Sequence, residues 1–288
     1  MSSAPIVSTF EAVSAAMHDP RLVPPAAAAT IGCGATEKLR GSMARFSAGE
    51  SHRVRRQAAV DAVGALGVAL ARTVAFDHTM RVLARASVEA VAEVAFIVPT
   101  VTMLTSLGVG GDPVGLIADV GAIVAVIGRG AVSTPDSDAA AERLLATFES
   151  HRAGAVAVVS MLYQNYDATA ALLIETLLAR HRRTDRAAAV TRTTRVAVGD
   201  TTIDGAPIPA GTLVVLDLAG AGLEFGAGEH ACPGRQLAEA IVDRIVSAID
   251  AARFEIIDCS SIVDTNGRPV SIMIGAACSS MSTIPGER

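Results

Sequence analysis

The chain of 288 residues has no tryptophan, and aromatic residues make up only 3% of it. Alanine, valine and leucine must therefore fill its core. Charged residues are also few, at 18% against 51% hydrophobic. That balance excludes a disordered chain and calls for a substantial buried core. A net charge of −5 argues against a nucleic-acid footprint. The four cysteines, Cys33, Cys232, Cys259 and Cys278, contain no C-x-x-C pair. This argues against a zinc site and against a disulfide framework. The first residues, Met1 to Val7, lack a basic segment followed by an apolar run, so no signal peptide is expected. The most apolar regions, Val91 to Gly110 and Pro113 to Gly128, are interrupted by Glu93, Pro99 and Asp119. They read as buried helices rather than membrane spans. A soluble cytoplasmic protein, partnered by neither membrane nor nucleic acid, is the expectation.

What is present centres on one stretch, Phe225-Gly226-Ala227-Gly228-Glu229-His230-Ala231-Cys232-Pro233-Gly234, followed by a helical run from Arg235 to Val242. The glycines permit backbone angles closed to other residues and let a flat ligand lie against the chain. Cys232 stands just before a helix, whose dipole favours a thiolate. Pro233 suits the first helical turn, where its missing N–H costs nothing. A thiolate held by a tight glycine loop is a good axial ligand for haem iron. A single cysteine among glycines is, by itself, more often a buried small hydrophobe.

The order F-G-x-G-x-H-x-C-x-G, opening an amphipathic helix, resembles the cysteine-ligand loop of the cytochrome P-450 family. The resemblance implies a mainly α fold with a small β-sheet, a truncated cytochrome P-450-like fold in one domain over 1–288. Within it, 9–183 is expected to be mainly helical and 184–219 a small sheet. Residues 223–252 hold the cysteine loop and its helix, and 253–288 the closing strands. The implied cofactor is haem b (iron protoporphyrin IX), with Cys232 as metal ligand and Phe225, Gly226, Gly228, His230 and Gly234 around it. The implied activity is oxidation of a small organic substrate with dioxygen. Electrons would come from an external donor, a ferredoxin or flavoprotein. A peroxide-driven or non-redox haem-thiolate enzyme is one rival. A haem-free relative acting as a partner protein is the other.

In chain order, Thr9 to Pro25 reads as a helix and exit turn, capped by Ser8 or Thr9 and stopped by Pro24-Pro25. Residues Pro25 to Gly41 are small and polar and read as a loop. A helix starts near Ala48 or Gly49. His52 and Arg56, four apart, share one of its faces. Taken alone, with Arg53 and Arg55 beside them, they read as a solvated basic face. With the cysteine loop downstream, the resemblance places them at a haem propionate, which suits the arginine fork. From Val63 to Gly130 the pattern is helical, with Pro99 at the kink or junction between two core helices. Residues 133–141 are a turn and helix start. A further helix runs from about Ala139 to Arg183, broken near Gly154.

Its second half resembles the long central helix over the distal haem face. The family's small residue, Gly, any residue, acid and Thr fall here on Gln164, Asn165, Tyr166, Asp167 and Ala168, with Thr169 one step later. Asp167 keeps the acid. The family's acid and hydroxyl deliver protons during dioxygen reduction. Asp167 and Thr169 are thus the candidate catalytic pair, although Thr169 is turned by about 100° from the usual position. The same residues equally read as a polar notch satisfied inside the helix.

Residues Val190 to Val198 alternate as a strand, and the segment to Ala219 resembles the family's small sheet. Arg195 falls where the family places an arginine on a propionate, and reads equally as an exposed strand residue. The family's E-x-x-R pair is missing: no Glu occurs from Thr176 to Thr194. Matches at Glu37, Glu50 and Glu149 lie elsewhere and read as chance. Leu218 to Glu224 joins the sheet directly to the cysteine loop, without the usual intervening loop and its arginine. These absences imply loosened haem retention. Gln236 to Ala252 reads as one helix, and Phe254 to Asp258 and Val270 to Ile274 as strands, with Cys259 and Cys278 as packing residues.

Overall fold

The computed structural model describes residues 4–25, 34–85, 88–110, 113–128, 130–258 and 273–276. The chain starts with β1 (Ile6–Val7), α1 (Phe10–His18) and β2 (Leu22–Val23). Next come α2 (Ala35–Ser42), a 3-10 turn at Ala44–Phe46, α3 (Gly49–Gly64) and α4 (Val68–Leu83). β3 (Val88–Ala90), α5 (Val91–Ser106), α6 (Val114–Ile127), α7 (Pro135–Thr147) and α8 (Ala155–Arg182) follow. Then β4 (Arg192–Ala197), β5 (Thr201–Ile203), β6 (Ala206–Ile208) and β7 (Leu213–Asp217) precede a 3-10 turn at Gly228–His230. α9 (Arg235–Ala251), β8 (Phe254–Asp258) and β9 (Met273–Ala276) close the described chain. This is the mainly helical fold with small sheets that the sequence predicts.

The 28-residue α8 is the axis. It packs against α3, α5, α6, α7 and α9. Val158, Val159, Leu162 and Leu173 along it are fully buried. With so few rings available, aliphatic side chains interlock across these contacts to fill the interior. A second, smaller core lies apart, where Val13, Ala16 and Met17 of α1 meet Leu22, Val214, Leu216 and Leu218. Its sheet has the order β1-β7-β4-β2. β1 runs parallel to β7, while β4 is antiparallel to both β7 and β2. No single described helix is long and apolar enough to cross a membrane.

Three details differ from the sequence expectations. Part of the segment read as a loop, Pro25 to Gly41, is helix α2. Its free N–H groups are capped by carboxylates: Glu37 accepts from Gly34 N at 2.7 Å and Asp138 from Thr36 N at 2.8 Å. The second cap comes from α7, so no local pattern announces it. Pro99 sits inside α5 rather than between helices. The break comes later, beyond Ser106, where Gly108 adopts φ +77°. α9 begins at Arg235 with Gly234 as its cap, so Pro233 precedes the helix. Of the expected closing strand Val270 to Ile274, the described residues Met273 and Ile274 lie in β9. Val270 to Ile272 lie outside the described residues, as do Cys33, Cys259 and Cys278.

Candidate active site

The cysteine loop connects β7 to α9 through two tight turns. Gly226 and Gly228 have φ of +71° and +63°, the left-handed region where glycine is unstrained. A Cβ at position 228 would stand 3.0 Å from the carbonyl oxygen of Met17. The loop is thus pressed directly on the end of α1. Its base is closed by the Cys232 N–H, which donates to the Phe225 carbonyl at 2.8 Å. The Arg235 guanidinium lies 4.8 Å from the Phe225 ring centre, a cation–π contact on the loop's flank.

Cys232 is exposed and lines a cavity of about 290 Å³. The surrounding protein nevertheless pushes its thiol pKa up by desolvation. Backbone N–H groups of Gly234 and Arg235, and the charges of Arg56 and Arg45, oppose that shift. The sulfur therefore sits where α9 begins, aided by its N–H groups, beside cations that favour a thiolate.

Two side chains of α3 grip the loop. His52 is buried, with Nδ1 3.0 Å from Ala44 O and Nε2 3.1 Å from Glu229 O. Arg56 Nη2 donates to Ala231 O. The four-residue spacing does put both on one face, and that face holds the loop's carbonyls. A neutral imidazole has one N–H, and both ring nitrogens of His52 already face carbonyl groups. Arg56 retains further N–H donors toward the cavity. The His52 and His230 rings lie 3.9 Å apart between centres.

Arg195 is buried, at 4% exposure. Its Nη1 donates to Thr193 Oγ1 at 3.1 Å and to Thr194 O at 2.9 Å. Its Nε has no partner, and no carboxylate pairs with it among the described residues. Burial, then the charge of Arg45, pushes its pKa down to about 10. His230 is driven down to about 3, first by burial and then by His52, Arg195 and Arg56. Arg45 and Arg192 also line this cavity. The sequence pattern did not single these two out, since each is an isolated arginine outside any motif.

The opposite wall is one face of α8: Met161, Gln164, Asn165, Ala168, Thr169 and Leu172. Thr169 is buried and donates from Oγ1 to Asn165 Oδ1 at 2.8 Å. Gln164 Nε2 turns back to Ser160 O at 3.2 Å. Asp167 is not among the lining residues; its charge acts on Tyr163 and Tyr166. Of the residues expected at the site, His52, Arg56, Thr169, Arg195, Phe225, Gly226, His230, Cys232 and Gly234 meet at the cavity. Asp167 and Gly228 stand outside its lining.

Glu224 is the one carboxylate among the described lining residues. Both its oxygens accept from Arg186, and Oε2 also accepts from Ala189 N at 2.8 Å. These bonds hold the Glu224 carboxyl below its ordinary pKa, the Arg186 side chain contributing most. No local pattern marks this pair, because its partners lie 38 positions apart.

No protein-family model matches the sequence, and no curated protein sequence does. Solved structures do match. One is P450BioI in complex with hexadec-9Z-enoic acid ligated acyl carrier protein, at 16% identity and TM-score 0.73, covering 94% of this chain and 91% of that one. CalO2 matches at 21% identity and TM-score 0.73, over 94% and 90%. A thermophilic cytochrome P450 from Sulfolobus tokodaii matches at 15% identity and TM-score 0.69, over 96% and 95%. Nearly the whole described architecture superposes on these proteins, and the chain has the cytochrome P450 fold.

Proposed function

We propose that this protein is a haem-binding oxidoreductase that acts on a small organic substrate through a cysteine-ligated haem b. The observation that carries the reading is a thiol and arginines without a carboxylate partner around one cavity. Cys232 lies on the wall at the start of α9, and Arg45, Arg56 and Arg195 have no carboxylate partner in the described structure. Arg195 is buried, Arg56 half-buried and Arg45 exposed; a buried cation such as Arg195 without a counter-charge is costly unless a ligand supplies one. Haem offers two carboxylates, a flat apolar face and an iron that takes a soft thiolate. The cavity volume lies near the low end of the roughly 300–1,000 Å³ range of cofactor and ligand sites.

In this reading Cys232 would ligate the iron, and Arg45, Arg56, Arg192 and Arg195 would hold the propionates. His230 stands beside the propionate side, and His52 fixes the loop that carries Cys232. Phe225, Gly226 and Gly234 would back the haem on the cysteine side. Ala168 and Thr169 of α8 border the substrate's side. Bound haem supplies one-electron and dioxygen chemistry. Thr169 Oγ1 is turned to Asn165 Oδ1, and Asp167 is not among the residues lining the cavity. This favours, as a second reading, a peroxide-driven or non-redox haem-thiolate reaction over a dioxygen reaction fed by an external ferredoxin or flavoprotein. Product formed from hydrogen peroxide alone, without a reductase, supports that second reading.

The test is the absorption spectrum of purified protein, reduced under carbon monoxide. A thiolate-type band is expected, lost in Cys232→Ala and kept when Cys33, Cys259 and Cys278 are replaced by Ser. Absence of any haem band after reconstitution, or an unchanged band in Cys232→Ala, overturns the assignment.

A further inference from the structure

The base of the cysteine loop is tied to the connector between α8 and β4 by Glu224 and Arg186. Arg186 Nη1 donates to Glu224 Oε2 at 2.9 Å, and Nη2 donates to Oε1. Such a two-pronged contact fixes orientation as well as distance. Ala189 N adds a third donor at 2.8 Å, and Arg186 Nη1 also reaches Ala187 O at 3.1 Å. The Glu224 side chain is 15% exposed and that of Arg186 30%. Water therefore screens this pair less than the surface pairs Arg72–Asp243 and Arg180–Asp250, whose side chains are 44–59% exposed.

Glu224 adjoins Phe225, whose carbonyl accepts the Cys232 N–H at 2.8 Å. A displacement of Glu224 is therefore passed to the backbone of Cys232. At the other end, Ala189 and Val190 lead directly into β4, which carries Arg192 and Arg195. The pair thus connects the two walls that the haem reading requires to be in register: the sulfur and the cation row. Arg186 has a second effect. Without it, an uncompensated carboxylate would stand on a cavity wall near groups that must accept a thiolate and two propionates. Like charges there are unfavourable.

We propose that Glu224 and Arg186 are positioning residues that set the Cys232 sulfur relative to Arg192 and Arg195. The inference rests on the haem-thiolate reading. It also explains how the loop is held in a chain without the E-x-x-R pair.

The test compares wild type with Arg186→Leu, Arg186→Lys, Glu224→Gln and the double variant Arg186→Leu/Glu224→Gln. Three quantities are read: haem transfer to excess apomyoglobin, the share of thiolate-type band in the reduced carbon monoxide complex, and the melting temperature. Arg186→Leu is expected to speed haem loss about tenfold or more, the scale of one charge-assisted bond, and to reduce the thiolate-type share. The double variant is expected to recover part of both, because it removes the stranded carboxylate. Arg186→Lys should fall between, lacking the fork. A pair with only a structural role would lower the melting temperature and leave the band unchanged in every variant. That result overturns the proposal, as does a double variant no better than Arg186→Leu. A wild type that takes up no haem overturns the haem reading and this inference together. Haem uptake with all variants like wild type overturns the inference alone.

Discussion

Arg195 shows how one side chain can work against the fold and for the ligand. Its guanidinium is buried, its Nε is unpartnered, and its charge is disfavoured enough to bring the pKa down to about 10. Arg195→Leu should therefore stabilise the haem-free protein, by about 1–3 kcal/mol for removing an uncompensated buried polar group. The same substitution should weaken haem retention by a similar amount, because a propionate loses its charged donor. Denaturant unfolding of the haem-free protein and haem transfer from the loaded protein measure the two effects. Haem retention unchanged or stronger in Arg195→Leu would show that Arg195 has no ligand to serve. The family resemblance located this arginine in the sequence, and the alternation of residues 190–198 put it on a strand. The alternation could not tell an exposed position from a buried one, because a strand side chain is buried by what packs over its face, and tertiary structure alone sets that.

Among the elements, the corner after α1 determines how the loop is supported. Asp19 is the C-cap of α1. Its carboxylate accepts from Arg21 N and Nε, both at 2.9 Å, and from the Thr201 hydroxyl of β5. The Arg21 side-chain bond chiefly holds its pKa down to about 2, from an ordinary 3.8. The folded pKa is depressed, so the stabilisation is present above about 3.8 and is lost as pH falls toward 2. Asp19→Asn should cost about 1 kcal/mol at neutral pH, discounted because solvent screens the half-exposed arginine. It should also flatten the acid limb of the stability curve. Unfolding midpoints from pH 6 to about 2 test this, and parallel acid limbs in both proteins would refute it. The local signals of this region were readable: Thr9 does cap α1, and the glycine–cysteine run does end at a helix. What was hidden needs distant partners. α2 depends on Asp138 for a cap, and β1 becomes a strand only by lying along β7. Pro99 was misread as a break because a proline inside a buried helix can be carried by packing on neighbouring elements; α5 lies against α4 and α8.

At the scale of the molecule, the cavity lies on the seam between two cores. Met103, Met161, Leu172 and Leu237 line it from the large helical cluster, and Met17 and Leu218 from the smaller one. A ligand held there contacts both. Calorimetry of the haem-free protein is expected to show the sheet core melting below the helical core, and haem is expected to merge them into one later transition. A single transition at the same temperature with and without haem would contradict this. The lack of tryptophan has a consequence for optics. The chain's only two tyrosines, Tyr163 and Tyr166, both lie on α8, and their neighbours Gln164 and Asn165 line the cavity. The intrinsic ultraviolet emission of the protein therefore arises from one stretch of one helix. A strongly absorbing macrocycle against that helix would darken it, so the fluorescence of the unlabelled chain reports directly on whether the cavity is filled.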